Sequence, residues 1–432
     1  MILFDYPSWI ILPWLFAVGC VVGSFLNVCV HRLPLEDRFW PSLLGIVHPP
    51  SRCPKCFNRI PGRFNLPIIG WLLLRGRCYH CQLPISARYP IIEFLNGALF
   101  VGVYWMIVPI EFASSLSESC LQTNLAPGSR LFPSPVAADA LVHWRYLFHL
   151  ALFEALFVAS LIDIDLKIIP DGCTLPAMFF GFALSTALGF VQLAPVWFQV
   201  KTISFELSAV TPDWMAPFWD GPPIPNWITA HPHLHGFIYS LAGAIIGGGV
   251  IWALRLIGFW VLKQEAMGFG DVVLMTMIGS FIGWQACLVV FFLAPFMSVI
   301  AVFGWIFFGK RETPYGPYLA TATAVTVLGW KEIWPYAERV CALGPMLIPM
   351  AVVIVTGLYV LLQIVQVIKY LLGIPLYPDE WVEEWTSADQ LAHFAGEQVD
   401  PHQGQWRPNP QTRWQGESSG RGQTHFDNWR HG

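Results

Sequence analysis

Charge is scarce in this chain. Only 12% of its 432 residues are Asp, Glu, Lys or Arg, where a soluble domain carries about 25%. The mean hydropathy is +0.54. An ordinary soluble enzyme is excluded, and the long apolar stretches read as a polytopic membrane protein. No signal peptide is evident: Met1 to Tyr6 is acidic rather than basic, and the first apolar run passes through Gly23-Ser24-Phe25-Leu26-Asn27 without a small-residue cleavage pattern. No internal repeat of fixed period is seen. The net charge of -4 selects no partner by itself, and no nucleic-acid partner is expected.

What is present is an all-α pattern of about nine spans, each long enough for roughly 30 Å of hydrocarbon. They fall at 9–30, 91–110, 146–164, 172–194, 236–261, 271–287, 288–308, 316–331 and 345–372, the boundary between the sixth and seventh being soft. Arg and Lys crowd 31–90, while 111–145 has only Arg130 and Arg145 and 195–235 only Lys201. By the positive-inside rule the basic segment is cytoplasmic, the two loops and the N-terminus are outside, and the bilayer itself is a partner. Trp197, Trp214, Trp219 and Trp227, set among prolines in the second outer loop, are expected at the headgroup level. The tail 377–432 is polar, aperiodic and expected to be disordered.

Cys53-Pro54-Lys55-Cys56 and Cys78-Tyr79-His80-Cys81 form two C-x-x-C knuckles separated by 21 residues. Two thiolates from each can complete one tetrahedral Zn²⁺ site, and in a reducing cytoplasm a disulfide is not expected. Cations beside both knuckles favour thiolate. Four cysteine ligands leave no position for water, so the metal is structural, and 31–90 reads as a small cytoplasmic zinc-ribbon domain. Cys20, Cys29, Cys173 and Cys287 read as small core residues. Cys120 and Cys341 both fall on the outer side, where a disulfide between them is open.

Two acids carry the chemistry. Asp163 ends an apolar run in Leu161-Ile162-Asp163-Ile164-Asp165, and Asp271 ends Gly268-Phe269-Gly270-Asp271 just before another. Counting spans puts both at the cytoplasmic edge. An ionisable group at the edge of a span is a functional-site hypothesis by default, and two carboxyls sharing a proton can activate water for peptide hydrolysis. Asp163 and Asp165, two residues apart, point roughly 200° away from each other on a helix; Asp165 is the reserve candidate. Asp171, after Ile169-Pro170, reads as a helix N-cap. Gly268 and Gly270 allow a turn directly before a helix, which would fix the Asp271 carboxylate.

These residues resemble the bacterial prepilin peptidases, the type IV leader peptidases of the GxGD intramembrane aspartic protease class. The likeness runs in order over roughly 19–331. It is carried by Gly23 to Pro34, by the paired C-x-x-C loop continuing to Arg88-Tyr89-Pro90-Ile91-Ile92-Glu93, by Asp163 to Pro176, by Gly268 to Asp271, and by Pro314-Tyr315-Gly316-Pro317. The resemblance implies catalysis by Asp163 and Asp271 in a peptidase core over 91–335, following a first span over 1–30. It implies removal of a short basic leader from type IV prepilins or type II secretion pseudopilins, at the cytoplasmic face of the bacterial inner membrane. It further implies N-methylation of the new terminus with S-adenosylmethionine, for which Glu93 is a candidate; a structural partnership with Arg88 or Arg32 is its alternative role. The outer loops are longer than the family suggests, and the span at 345–372 and the tail have no counterpart. The competing readings are a peptidase-inactive methyltransferase or assembly scaffold and, more remotely, a proton-coupled transporter.

Overall fold

A computed structural model describes residues 8–35, 39–47, 50–108 except 51, 54 and 57, 138–189, 191–219, 222–262, 267–308, 314–372, and the strand residues 397–399 and 406–408. Almost all of this is helix, the expected outcome where lipid offers no hydrogen bonds and the backbone must satisfy its own polar groups.

The helices are α1 (Ser8–Arg32), α2 (Phe39–Val47), α3 (Ile69–Leu73), α4 (Arg88–Ile107), α5 (Ala138–Leu166), α6 (Asp171–Leu188), α7 (Lys201–Ser208), α8 (Asn226–Ala230), α9 (Pro232–Leu262), α10 (Phe269–Phe308), α11 (Gly316–Leu328), α12 (Trp330–Cys341) and α13 (Leu347–Leu371). In the tail, β1 (Glu397–Val399) pairs antiparallel with β2 (Trp406–Pro408), so it is not wholly without structure; the rest of 377–432 lies outside the described residues, as do Cys120 and most of the loop 111–145.

The chain is a multi-pass α-helical membrane protein, with fewer full spans than the sequence suggested. Among the described residues six helices are long and apolar enough to cross a membrane. The expected sixth and seventh spans follow one another in α10, with Gly283 interrupting the helix. The expected fourth falls on α6, 18 residues that include Asp171, Thr174, Ser185 and Thr186, and the eighth on α11, only 13 residues long.

Two compact units are formed. The first draws on 1–106, 157–173 and 383–432, the second on 107–156 and 174–382. In the first, α1 and α4 approach closely through glycine: a Cβ at Gly19 would lie 2.8 Å from the Gly97 Cα, and a Cβ at Gly23 would lie 3.0 Å from the Glu93 Cα. Asn96 donates its amide to the Gly19 carbonyl at 3.0 Å. Small residues that bring backbones together are the means by which helices associate without a hydrophobic driving force.

In the second unit, α9 and α10 form a hairpin whose contact is tighter still. A Cβ on Gly243 or on Gly279 would collide with the other's carbonyl oxygen. Gly283, at φ 74 and ψ 173, breaks α10, four residues before the boundary expected from sequence. The break is occupied by Tyr239: any Cβ at Gly283 would collide with its ring, and its hydroxyl donates to the Ile282 carbonyl at 2.5 Å. The segment 191–196 is buried although it is not helical. Its backbone is held by Tyr239 at Leu193 N–H (3.3 Å), His235 at Val196 N–H (3.0 Å) and Gln285 at the Pro195 carbonyl (2.6 Å). Of the four tryptophans expected at the headgroups, Trp214 and Trp227 are exposed. Trp219 is instead buried, its indole N–H donating to Thr211 at 2.9 Å.

Gly279→Ala should lower the melting temperature of the solubilised protein, by an overpacking cost of about 1–3 kcal/mol. Gly249→Ala, whose new methyl would meet nothing within 4 Å, should leave it unchanged or slightly raised.

Candidate active site and metal centre

The four cysteines converge. Each knuckle is pinched by an isolated antiparallel bridge, Arg52 with Arg59 and Arg77 with Pro84. Within them Cys53 N–H donates to the Asn58 carbonyl at 3.0 Å and Cys78 N–H to the Leu83 carbonyl at 2.9 Å. The four Sγ atoms lie within 4.8 Å of one another, with Cys53 to Cys81 at 4.0 Å and Cys56 to Cys78 at 3.9 Å. A tetrahedron with Zn–S arms of about 2.3 Å has edges of about 3.8 Å, whereas a disulfide needs about 2.05 Å. All four are free thiols, and the set fits a structural zinc.

Burial pushes the Cys53 thiol up to about 12. Burial acts the same way on Cys78, but backbone N–H groups of Cys81 and His80 and the Cys53 and Cys81 side chains outweigh it and draw that thiol down to about 7. Thiol protons must leave as the metal binds.

Glu93 is buried and tied to the loop. Its Oε2 accepts the Ile68 N–H at 2.7 Å, and the Ser24 side chain also hydrogen-bonds to it. Ile68 has φ 57, a left-handed conformation unusual for a β-branched residue, so the carboxylate anchors a tight backbone turn. The alternative role holds in kind but with other partners. Arg32 donates to the carbonyls of Gly45 and Ile46 at 3.2 and 3.1 Å, and Arg88 forms a two-pronged ion pair with Asp165, Nη1 to Oδ1 at 2.9 Å and Nη2 to Oδ2.

That ion pair separates the neighbouring acids. Asp165 is engaged by Arg88. Asp163, one turn from the end of α5, is 5% exposed and accepts the Lys167 N–H on its carbonyl at 2.8 Å. Lys167, at φ 56, ends the helix. Asp171 is exposed and is the first residue of α6, one position inside the helix from the expected N-cap.

Asp271 is the third residue of α10 and is 9% exposed. The turn before it is held by Arg255, whose Nε donates to the Met267 carbonyl at 3.2 Å and whose guanidinium lies 5.6 Å from the Phe269 ring centre. Tyr315, just before α11, feels the Asp271 charge: burial first and then that carboxylate push its phenol up to about 12. Tyr315 belongs to a motif visible in the sequence, but nothing there ties it to Asp271, and Arg255 carried no sequence signal at all. Asp163 belongs to the first unit and Asp271 to the second.

Residues 17–107 match the Bacterial Peptidase A24 N-terminal domain and residues 224–303 the Type IV leader peptidase family. Over these residues the chain is similar to the type IV leader peptidase family. Both matches cover the features just described, the zinc loop with Glu93 in one and the Gly268–Asp271 turn in the other. Among curated proteins it is 29% identical to the prepilin leader peptidase/N-methyltransferase of Aeromonas hydrophila, over 73% of this chain and 92% of that one. It is 27% identical to the protein of that name from Stutzerimonas stutzeri, over 73% and 90%, and 29% identical to that of Myxococcus xanthus, over 66% and 61%. No solved structure gives a significant match.

The purified protein should contain one zinc per chain, lost in a Cys53→Ser/Cys78→Ser variant. Because protons compete for thiolates, zinc affinity should fall as pH drops from 8 to 6, by at least about tenfold per unit. A chelator competition titration measures it, and a pH-independent affinity would contradict the four-thiolate assignment.

Proposed function

We propose that this chain is a membrane aspartic endopeptidase that removes the leader from type IV prepilins or type II secretion pseudopilins, then N-methylates the new terminus. The observation that carries the reading is the fate of the acids. In a chain similar to this family, Asp163 and Asp271 are buried at helix ends, while Asp165 is matched by Arg88 and Asp171 faces outward. Asp163 and Asp271 are assigned as the catalytic carboxyls.

In this mechanism one carboxylate takes a proton from water as its oxygen bonds to the scissile carbonyl carbon, and the other, protonated, donates a hydrogen bond to the carbonyl oxygen. Collapse of the tetrahedral adduct breaks the C–N bond, and the amine leaves with a proton from the pair. The acids titrate together, so neither has a pKa of its own. A site at the edge of the bilayer suits a substrate whose leader is in water and whose helix is in lipid.

For the second activity S-adenosylmethionine supplies the methyl group, and the amine must lose a proton. Glu93 is the candidate acceptor through the carboxylate oxygen not bonded to Ile68. Zinc, held by Cys53, Cys56, Cys78 and Cys81, shapes the loop and takes no part in the chemistry. The protein is placed in the bacterial inner membrane, with the zinc loop and both acids on the cytoplasmic side.

Incubation of purified protein with a prepilin carrying a Gly-Phe junction, followed by product mass, tests both steps. Loss of the leader plus 14 Da with S-adenosylmethionine is expected; an uncleaved substrate with folded protein would favour the scaffold reading instead. Asp163→Asn and Asp271→Asn should each slow cleavage by at least about a hundredfold. Asp165→Asn should retain cleavage but melt at lower temperature, since it breaks the pair with Arg88. Near-normal activity in either of the first two would remove that residue from the site.

A further inference from the structure

The segment joining α1 to α4 is rich in cations. Between Leu33 and Ala87 there are six Arg and one Lys against Glu36 and Asp37, a surplus of five. A zinc tetrathiolate would offset two of these, which leaves three. Arg63, Arg75 and Arg77 are exposed.

The same segment exposes apolar side chains in register. On α2, Trp40, Leu44 and Val47 are spaced i, i+4, i+7, one face of a helix, and are 71%, 70% and 71% exposed. Ser42, on the opposite side, is buried and donates to the Leu33 carbonyl at 3.1 Å. On α3, Ile69 and Leu73 are spaced i, i+4 and are exposed, as are Leu72 and, just before the helix, Leu66. Neither stripe is covered by this chain among the described residues.

Both stripes are held beside the ends of membrane spans. Arg32, the last residue of α1, binds the carbonyls of Gly45 and Ile46 at the end of α2. α3 starts where Ile68 is bonded to Glu93, five residues into α4 and therefore about 7.5 Å along that helix from Arg88. This is the depth, about 5–10 Å, at which an interfacial helix buries its apolar face. What adjoins an apolar surface at that level, continuous with two spans, is lipid, and what matches its surplus of cations is an anionic headgroup.

We propose that the zinc-bearing segment lies on the anionic leaflet of the bilayer, with the Trp40–Leu44–Val47 and Ile69–Leu73 stripes in the headgroup boundary and Arg63, Arg75 and Arg77 against lipid phosphates. The zinc site then does more than fold a loop: it sets the angle at which two interfacial helices meet the membrane. The proposal rests on α1 and α4 being spans and not on the peptidase reading, and its test contains no prepilin.

Full-length protein carrying a benzophenone amino acid at Leu44 or Leu72 is reconstituted into nanodiscs of phosphatidylcholine, with and without phosphatidylglycerol, and irradiated. Intact mass reads the product. Lipid adducts are expected at both positions, at least about threefold more abundant with phosphatidylglycerol, and that gain should vanish at about 0.5 M salt. Arg63→Gln/Arg75→Gln/Arg77→Gln should abolish the gain while leaving labelling in neutral lipid. The same probe at Phe296, an exposed position on α10, is the positive control. Labelling at Phe296 with none at Leu44 and Leu72, adducts to a second protein chain, or equal labelling in the two lipid mixtures would each overturn the proposal.

Discussion

Two parallel hydrogen bonds from Arg88 to Asp165 are the interaction on which the first unit depends. They join the first residue of α4 to the last turn of α5, residues 77 apart in the chain, and they close the zinc-bearing segment on its C-terminal side. Charge-assisted, two-pronged pairs of this kind fix orientation as well as distance. The consequence for chemistry is indirect. With Asp165 matched, the proposed catalytic role goes to Asp163, two residues earlier on the opposite face of α5. Glu93 completes the frame from the other side, carrying its charge into an apolar helix to bind the backbone at Ile68.

The second unit meets a different constraint, the need to bring a carboxylate to a helix start at the membrane edge. Gly243 and Gly279 let α9 and α10 touch, Arg255 grips the intervening turn at Met267, and Asp271 follows within one turn of α10. Gly283 then breaks α10, and Tyr239 fills the break and bonds to the buried non-helical segment 191–196. Among the described residues no salt bridge holds Asp271.

The parts visible in the sequence were those encoded by spacing within a short stretch. Two C-x-x-C pairs predict a tetrahedron whatever surrounds them, and the apolar runs predict helices because lipid permits little else. The single helix α10 was harder. Its Gly283 break depends on a tyrosine 44 residues earlier, and an apolar run does not reveal a left-handed residue inside it. Long-range polar pairs were hidden for the same reason: Arg88 has several acids within reach of a guess, and only the fold selects Asp165. The partner of Glu93 is a backbone N–H, which every residue but proline offers, so no side-chain pattern could have pointed to Ile68. Trp219 was assigned to the membrane interface by composition, although its indole is enclosed by its own loop.

As proposed, the zinc loop, the apolar stripes and the two buried acids would belong to an enzyme that works where lipid meets water. The account stands or falls on water being activated by two carboxyls that share one proton. The most direct measurement is kcat/KM for prepilin cleavage as a function of pH, with the full-length protein in nanodiscs. A bell-shaped profile with two apparent ionisations belonging to the pair is predicted. A profile governed by one ionisation, or one that is flat while the protein stays folded, would contradict it.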